Sequence, residues 1–139
     1  TRAKRGLLDT SVVITLGRLH DAKALPRVPM ISAITLAELT VGPLVAPAAE
    51  RAARLRHVQT VESGSDPLPF DAAAARAFGH VAASLRSRGR KTSARTYDAM
   101  IAAVALANGL PLYTCNPRDF EGIDGLEVVP VIVTDSREP

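Results

Sequence analysis

Four carboxylates stand where an apolar stretch gives way to the next element: Asp9 after GLL, Glu38 in TLAELT, Asp98 at the head of DAMIAAVALANG, and Asp119 in NPRDF, where Asn116 lies three positions earlier. Each has a purely structural explanation by itself. Asp9 opens the trio Asp9, Thr10, Ser11, side chains preferred as helix N-caps. Glu38 follows Thr35 at the spacing of a capping box. Asp98 is a favourable first-turn carboxylate, and Asn116 before Pro117 fits the start of a short helix. Together the four point to something else, because right-handed crossovers place strand ends along one edge of a parallel sheet, where ligands bind. Carboxylates gathered there raise one another's pKa and stay ionised only when something positive fills the gap. Their donors are all oxygens, which favours Mg²⁺ or Mn²⁺ over Zn²⁺. A cation so held activates water and neutralises charge on a phosphate, which is nuclease chemistry.

Two further groups of residues bear on that chemistry. Arg86, Arg88, Arg90, Lys91 and Arg95 surround Gly89 just before Asp98, the densest positive stretch of the chain. Such a stretch is either a solvated helix C-terminus that complements the dipole or a grip on flanking phosphates. Thr10, Ser11 and Thr114 are the hydroxyls placed to orient a coordinated water or an acid.

The elements that must position these residues alternate between strand and helix. Residues 6–8, 30–34, 110–115 and 126–131 read as short buried strands. A helix is expected over residues 11–19, weakened by Gly17, and another begins at Thr35 and is interrupted by Gly42 and Pro43. From Pro47 to about Val61 a helix turns Ala49, Ala53, Leu55 and Val58 inward, with Arg51, Arg54 and Arg56 solvated. Residues 63–69 form a loop whose tail is at most an edge strand. Asp71 caps a helix to about Ser87 that buries Ala75, Phe78, Val81, Ala82 and Leu85. The helix opened by Asp98 ends at Gly109, Asn116 caps a short helix, and Gly122 and Gly125 bracket a turn. The alternation makes the class α/β with a mainly parallel sheet flanked by helices.

The chain of 139 residues fits one domain, with no repeat or linker and a polar tail over residues 134–139. Aromatic residues are 4%, too few for a stacking platform on single-stranded nucleic acid, and the core falls to Ala, Val, Leu and Ile. A net charge of +3 permits a polyanionic partner without demanding one. Cys115 is the sole cysteine, so no disulfide closes within the chain, and it reads as a small buried strand residue. No apolar run is long enough to span a membrane and the basic start lacks a signal-peptide core, so a soluble, cytoplasmic protein is expected.

The segments LLDTSVVI, TLAEL and YDAMIAAVALANGLPLYTCNPRDF, in this order and spacing, resemble a PIN domain, specifically the VapC-type toxin ribonucleases of bacterial toxin–antitoxin pairs. The resemblance covers almost the whole chain. It implies a single PIN-like domain over residues 1–139, with Asp9, Glu38, Asp98 and Asp119 as a catalytic acidic quartet around Mg²⁺ or Mn²⁺. Asn116 matches the polar position before the last acid, and Thr10 or Ser11 the hydroxyl after the first. Also implied are cleavage of a structured transfer or ribosomal RNA, which stops translation, homodimerisation, and neutralisation by a VapB antitoxin whose C-terminal segment lies over the active groove. Asn116 is neutral where some PIN domains place an acid, which implies one tightly held metal ion and a second that arrives with substrate phosphate. Two other classes compete. An aspartate-dependent phosphotransfer domain lacks support because no second acid follows Asp9 closely, and a non-catalytic RNA- or partner-binding PIN-like module leaves the four acids without a task.

Overall fold

A computed structural model describes residues 4–16, 22–64, 66–90 and 95–133. Its centre is a parallel sheet made of β1 (Arg5–Leu8), β2 (Val28–Met30), β3 (Leu112–Thr114) and β4 (Val128–Pro130), in the order β2-β1-β3-β4. Leu7 pairs with Met30 on one side and Leu112 on the other, and Tyr113 pairs with Val129. Five helices surround it: α1 (Thr10–Ile14), α2 (Ala33–Val45), α3 (Ala48–Gly64), α4 (Ala72–Ser87) and α5 (Thr96–Ala107).

Both faces of the sheet are covered, which explains strands that read as unbroken apolar runs. Successive strand residues point to opposite faces. Leu7 and Leu112 therefore join Val81 and Leu85 of α4 and Ile101 and Val104 of α5 in one core. Leu8 and Tyr113 join Val12 and Val13 of α1, Leu39 of α2 and Val58 of α3 in the other. Helix α5 is apolar around its circumference and buries Ala99 and every residue from Ile101 to Ala105, as a central helix must. Gly109, at φ 63°, ends it, and Gly122 and Gly125 shape the expected turn with φ of 86° and 82°.

The structure moves several expected boundaries. The second strand lies at Val28–Met30, earlier than residues 30–34, and accommodates Pro29 because β2 is an edge. Ser32 then caps α2, its Oγ accepting from the Thr35 amide at 3.1 Å. Thr35 is thus inside the first turn, and the expected Thr35–Glu38 capping box does not exist. Helix α2 also runs through Gly42 and Pro43, since the Pro43 ring is buried beside Val58 of α3. That burial offsets the missing N–H bond. Of the apolar side expected for α3 only Val58 is buried, and Leu55 is 47% exposed, because α3 packs on α2 and hardly reaches the sheet. Helix α4 buries Val81 and Leu85 as expected and half-buries Phe78 and Ala82, but in its first turn Ala74 is buried and Ala75 exposed. Helix α1 stops at Ile14, while Gly17, Leu19 and the expected tail at 134–139 lie outside the described residues. Residues 66–70 contribute one bridge, Leu68 to Ser32. Among the described residues no helix is long and apolar enough to cross a membrane.

Gly6 in β1 shows how tightly the sheet is built. A Cβ there would stand 2.5 Å from Tyr113 Cε1 and 2.9 Å from Pro26 Cγ. Gly6→Ala is therefore expected to destabilise the fold by about 1–3 kcal/mol through overpacking. Urea unfolding checks this, and an unchanged midpoint would contradict the close approach.

Candidate active site

The C-terminal ends of β1 and β3 are neighbours in the sheet, and the acids are delivered to that edge by four different elements. Asp9 follows β1 directly and is 4% exposed. It does cap α1, since Oδ1 accepts from the Val12 amide at 3.1 Å and from Ser11 Oγ at 2.6 Å. Both bonds end on Oδ1, so capping and a second task are compatible. Ser11 Oγ in turn accepts from the Cys115 amide at 3.1 Å, which ties the end of β3 to the end of β1.

Glu38 comes from the second turn of α2 and meets Thr10 across the gap between helices. Thr10 Oγ1 donates to Glu38 Oε1 at 2.6 Å, with the Thr35 hydroxyl 3.1 Å away. A hydroxyl has one proton, and the carboxylate is the stronger acceptor, so Thr10 holds Glu38 in a single orientation. Thr35 is fully buried beneath this pair.

Asp98 lies in the first turn of α5, and Asp119 in the 3₁₀ turn Pro117–Phe120 that follows β3. Thr114 shapes that turn, its buried Oγ1 accepting from the Asn116 amide at 2.9 Å. Thr114 thus positions the backbone of that turn. Asn116 is exposed and its side chain makes no capping bond; its carbonyl accepts from the Asp119 amide at 3.0 Å. The convergence is legible in Asp98, whose pKa is raised to about 6, first by burial and then by the charges of Asp119, Asp9 and Glu38, with Arg95 opposing. Three acids from three other elements act on one carboxyl.

Arg95 stands among these acids. Its Nη1 is 2.8 Å from Asp119 Oδ2 and 3.8 Å from Asp98 Oδ2. The basic stretch divides in space. Arg90 and Arg95 line, with Asp98, Asp119 and Phe120, a cavity of about 250 Å³, and Arg90 donates to the Glu121 carbonyl at 2.8 Å. Arg88 faces Asp124 at 3.6 Å, and Arg86 is exposed in the last turn of α4; neither lines the cavity. Lys91 lies outside the described residues. Cys115 sits just past β3, half-buried, with Sγ 3.7 Å from Thr15 Oγ1, and is not the buried strand residue expected.

The site contains one residue that the sequence reading passed over, Ser32, which with Thr35 anchors the Glu38 side; its signal was the hydroxyl pair at the cap spacing i and i+3. The role of Arg95 was legible as an i,i+3 ion pair with Asp98, although its bond to Asp119 was not. A groove beyond Glu38 is walled by Ile34, Ala37, Val41 and the exposed Tyr97.

The fit to a divalent cation is one of chemistry. The converging donors are carboxylate oxygens, burial and then the neighbouring acids raise Asp98, and a guanidinium already answers part of the charge. Among the described residues no three acids, imidazoles or thiols stand close enough to close around one ion as they lie.

A family model described as PIN domain matches residues 6–126. The chain is 38% identical to "Ribonuclease VapC5" of Mycobacterium tuberculosis over 135 residues, covering 95% of this chain and 97% of that protein. It is 34% identical to "tRNA(fMet)-specific endonuclease VapC" of Shigella flexneri, over 86% of this chain and 92% of that one. Among solved structures it superposes with TM-score 0.79 and 35% identity on a chain of the VapBC-5 toxin–antitoxin complex of Mycobacterium tuberculosis, covering 92% of this chain and 99% of the other.

Two outcomes are expected from the geometry. A carboxyl raised from 3.8 to about 6 binds more protons folded than unfolded, so it costs stability progressively as pH rises through that window and fully above it. Asp98→Asn in chelator should then unfold at the same temperature as wild type near pH 4 and a few degrees higher, roughly 2–4 °C, at pH 7.5. An equal difference at both pH values would contradict the raised pKa. Ser11→Ala leaves the Cys115 amide and Asp9 without their shared partner and should cost about 1–3 kcal/mol in urea unfolding.

Proposed function

The chain belongs to the PIN domain family, and from that premise we propose that it is the toxin of a VapBC pair, an endoribonuclease that depends on Mg²⁺ or Mn²⁺. The observation that carries the reading is the delivery of four acids by four elements to the edge where β1 and β3 end, where Asp98 is raised first by burial and then by the charges of Asp119, Asp9 and Glu38. Asp9, Glu38, Asp98 and Asp119 would hold the cation. When bound it supplies Lewis-acid charge at the phosphate and a water of lowered pKa.

The chain's own residues do the remaining work. Ser11 and Thr10 fix Asp9 and Glu38 through bonds of 2.6 Å each, so these carboxylates present their oxygens without a conformational search. Thr114 holds the turn that carries Asp119. Arg90 and Arg95, on the wall of the same cavity, are suited to the phosphates of an RNA backbone, which makes binding fall with salt. Arg86, Arg88 and Lys91 extend positive charge along the same stretch of chain. The acidic floor and basic wall together favour a phosphodiester over a neutral substrate.

Relatives named for RNA cleavage, one of them for tRNA(fMet), support a structured RNA as substrate, whose cleavage in the cytoplasm would arrest translation. The VapBC-5 complex supports a VapB-type antitoxin as partner. Val41, Leu44, Val45 and Leu55 remain exposed on the α2–α3 pair, an apolar surface that suits protein partners, the antitoxin and a second copy of this chain.

Purified protein freed of any partner is expected to cut total RNA into discrete fragments with Mg²⁺ or Mn²⁺ and to leave it intact in EDTA. Asp9→Asn and Asp98→Asn should each lower cleavage by about 100-fold or more while circular dichroism stays that of wild type. Cleavage that persists in EDTA, or in folded Asp98→Asn protein, would overturn the assignment.

A further inference from the structure

We propose that Arg95 alternates between two partners: it is the counterion that draws Asp98 and Asp119 together in the metal-free protein, and it becomes the ligand of the substrate phosphate when a divalent cation takes its place. This rests on the nuclease reading and deepens it by giving one residue a role on each side of metal binding.

The geometry of the contact carries the argument. One nitrogen, Nη1, serves both carboxylates, at 2.8 Å and 3.8 Å, although a guanidinium has five donors in a fork that can grip a carboxylate by two. Arg95 has a side chain 50% exposed, and at the N-terminus of α5 it makes no side-chain capping bond. Exposed ion pairs contribute little stability, so this one exchanges partners readily. A divalent cation among the same acids repels the guanidinium and takes over its work. Arg95 then stands at the wall of the cavity that Asp98 and Asp119 also line, and a phosphodiester entering there is the anion its fork fits best. Arg90 lines the same cavity but is tied to the Glu121 carbonyl, touches none of the acids, and cannot exchange in this way.

Two properties must follow. Metal binding in the absence of RNA competes with Arg95, so the apparent affinity is lowered by the fraction of molecules in which the pair is closed. Metal and RNA also assist one another, because the cation frees the arginine that the phosphate needs, and such coupling is reciprocal.

The test titrates Mn²⁺ alone into wild type, Arg95→Gln, Arg95→Lys and Arg90→Gln by calorimetry, and then measures cleavage of RNA at saturating Mn²⁺. Arg95→Gln is expected to bind Mn²⁺ about three- to fivefold tighter than wild type, with Arg95→Lys between them and Arg90→Gln within about twofold of wild type. The same Arg95→Gln protein should lose about tenfold or more in kcat/KM. Unchanged or weaker Mn²⁺ binding overturns the counterion role. Tighter Mn²⁺ binding with undiminished cleavage overturns the phosphate role. Should Arg95→Gln not fold, the exchange is read in wild type: titration with Mg²⁺ is expected to move the Arg95 Nε–Hε NMR resonance toward that of an unpaired arginine, and a resonance that stays in place rejects the proposal. If wild type cuts no RNA, the nuclease reading fails, while the Mn²⁺ titration still decides the counterion role.

Discussion

Mutual repulsion among carboxylates is the constraint around which this molecule is arranged. Asp9, Glu38, Asp98 and Asp119 come from the end of β1, α2, α5 and the turn after β3, and burial together with the charges of the other three raises Asp98 to about 6. No fold gathers such charges for stability. The rest of the structure can be understood as what tolerates the gathering: a sheet buried on both faces, a central helix apolar on every side, and two cores that meet through strands only three or four residues long. The stability that the cores supply offsets what the site loses, the usual relation between a strained site and its scaffold.

How the acids are held matters as much as where they stand. Three of the four have a close partner that fixes them: Ser11 and the Val12 amide hold Asp9, Thr10 holds Glu38, and Arg95 holds Asp119. Beneath them Ser32, Thr35 and Thr114 are fully buried. These inner hydroxyls stiffen the helix start and the turn, and no buried polar side-chain atom among the described residues is left without a partner. A site that must present several oxygens at fixed separations gains from such support because it cannot relax when the ligand leaves.

The surroundings of the site are divided by chemistry. On one side lies the basic wall of Arg90 and Arg95, and on the other an apolar groove of Ile34, Ala37, Val41 and Tyr97 that continues toward the exposed side chains of the α2–α3 pair. A protein bound on the apolar side would stand next to Glu38 and Tyr97.

Local chemistry was enough to read much of this from the chain. The apolar runs that stop at Asp9, the α5 segment with its terminal Gly109, the cap at Asp71 and the turn between Gly122 and Gly125 depend on neighbouring residues alone, and the structure has them as read. The four acids were legible because each interrupts an apolar pattern at a junction, and the order of their segments resembled the family to which the chain belongs. Other features are properties of contacts between distant segments. Whether Glu38 was a capping residue depended on where β2 ended, and that was set by pairing with β1, which moved the cap to Ser32 and freed Glu38 to meet Thr10. Whether Pro43 broke a helix depended on the burial that α3 offered its ring. Which arginines of a contiguous basic stretch reach the acids depended on the turn after β3 that carries Asp119, 24 residues from Arg95 in sequence and 2.8 Å from it in space. Sequence determined the types of groups and the elements that carry them; the tertiary structure decided their partners, because hydrogen bonds and ion pairs act over a few Å and sequence does not measure that distance.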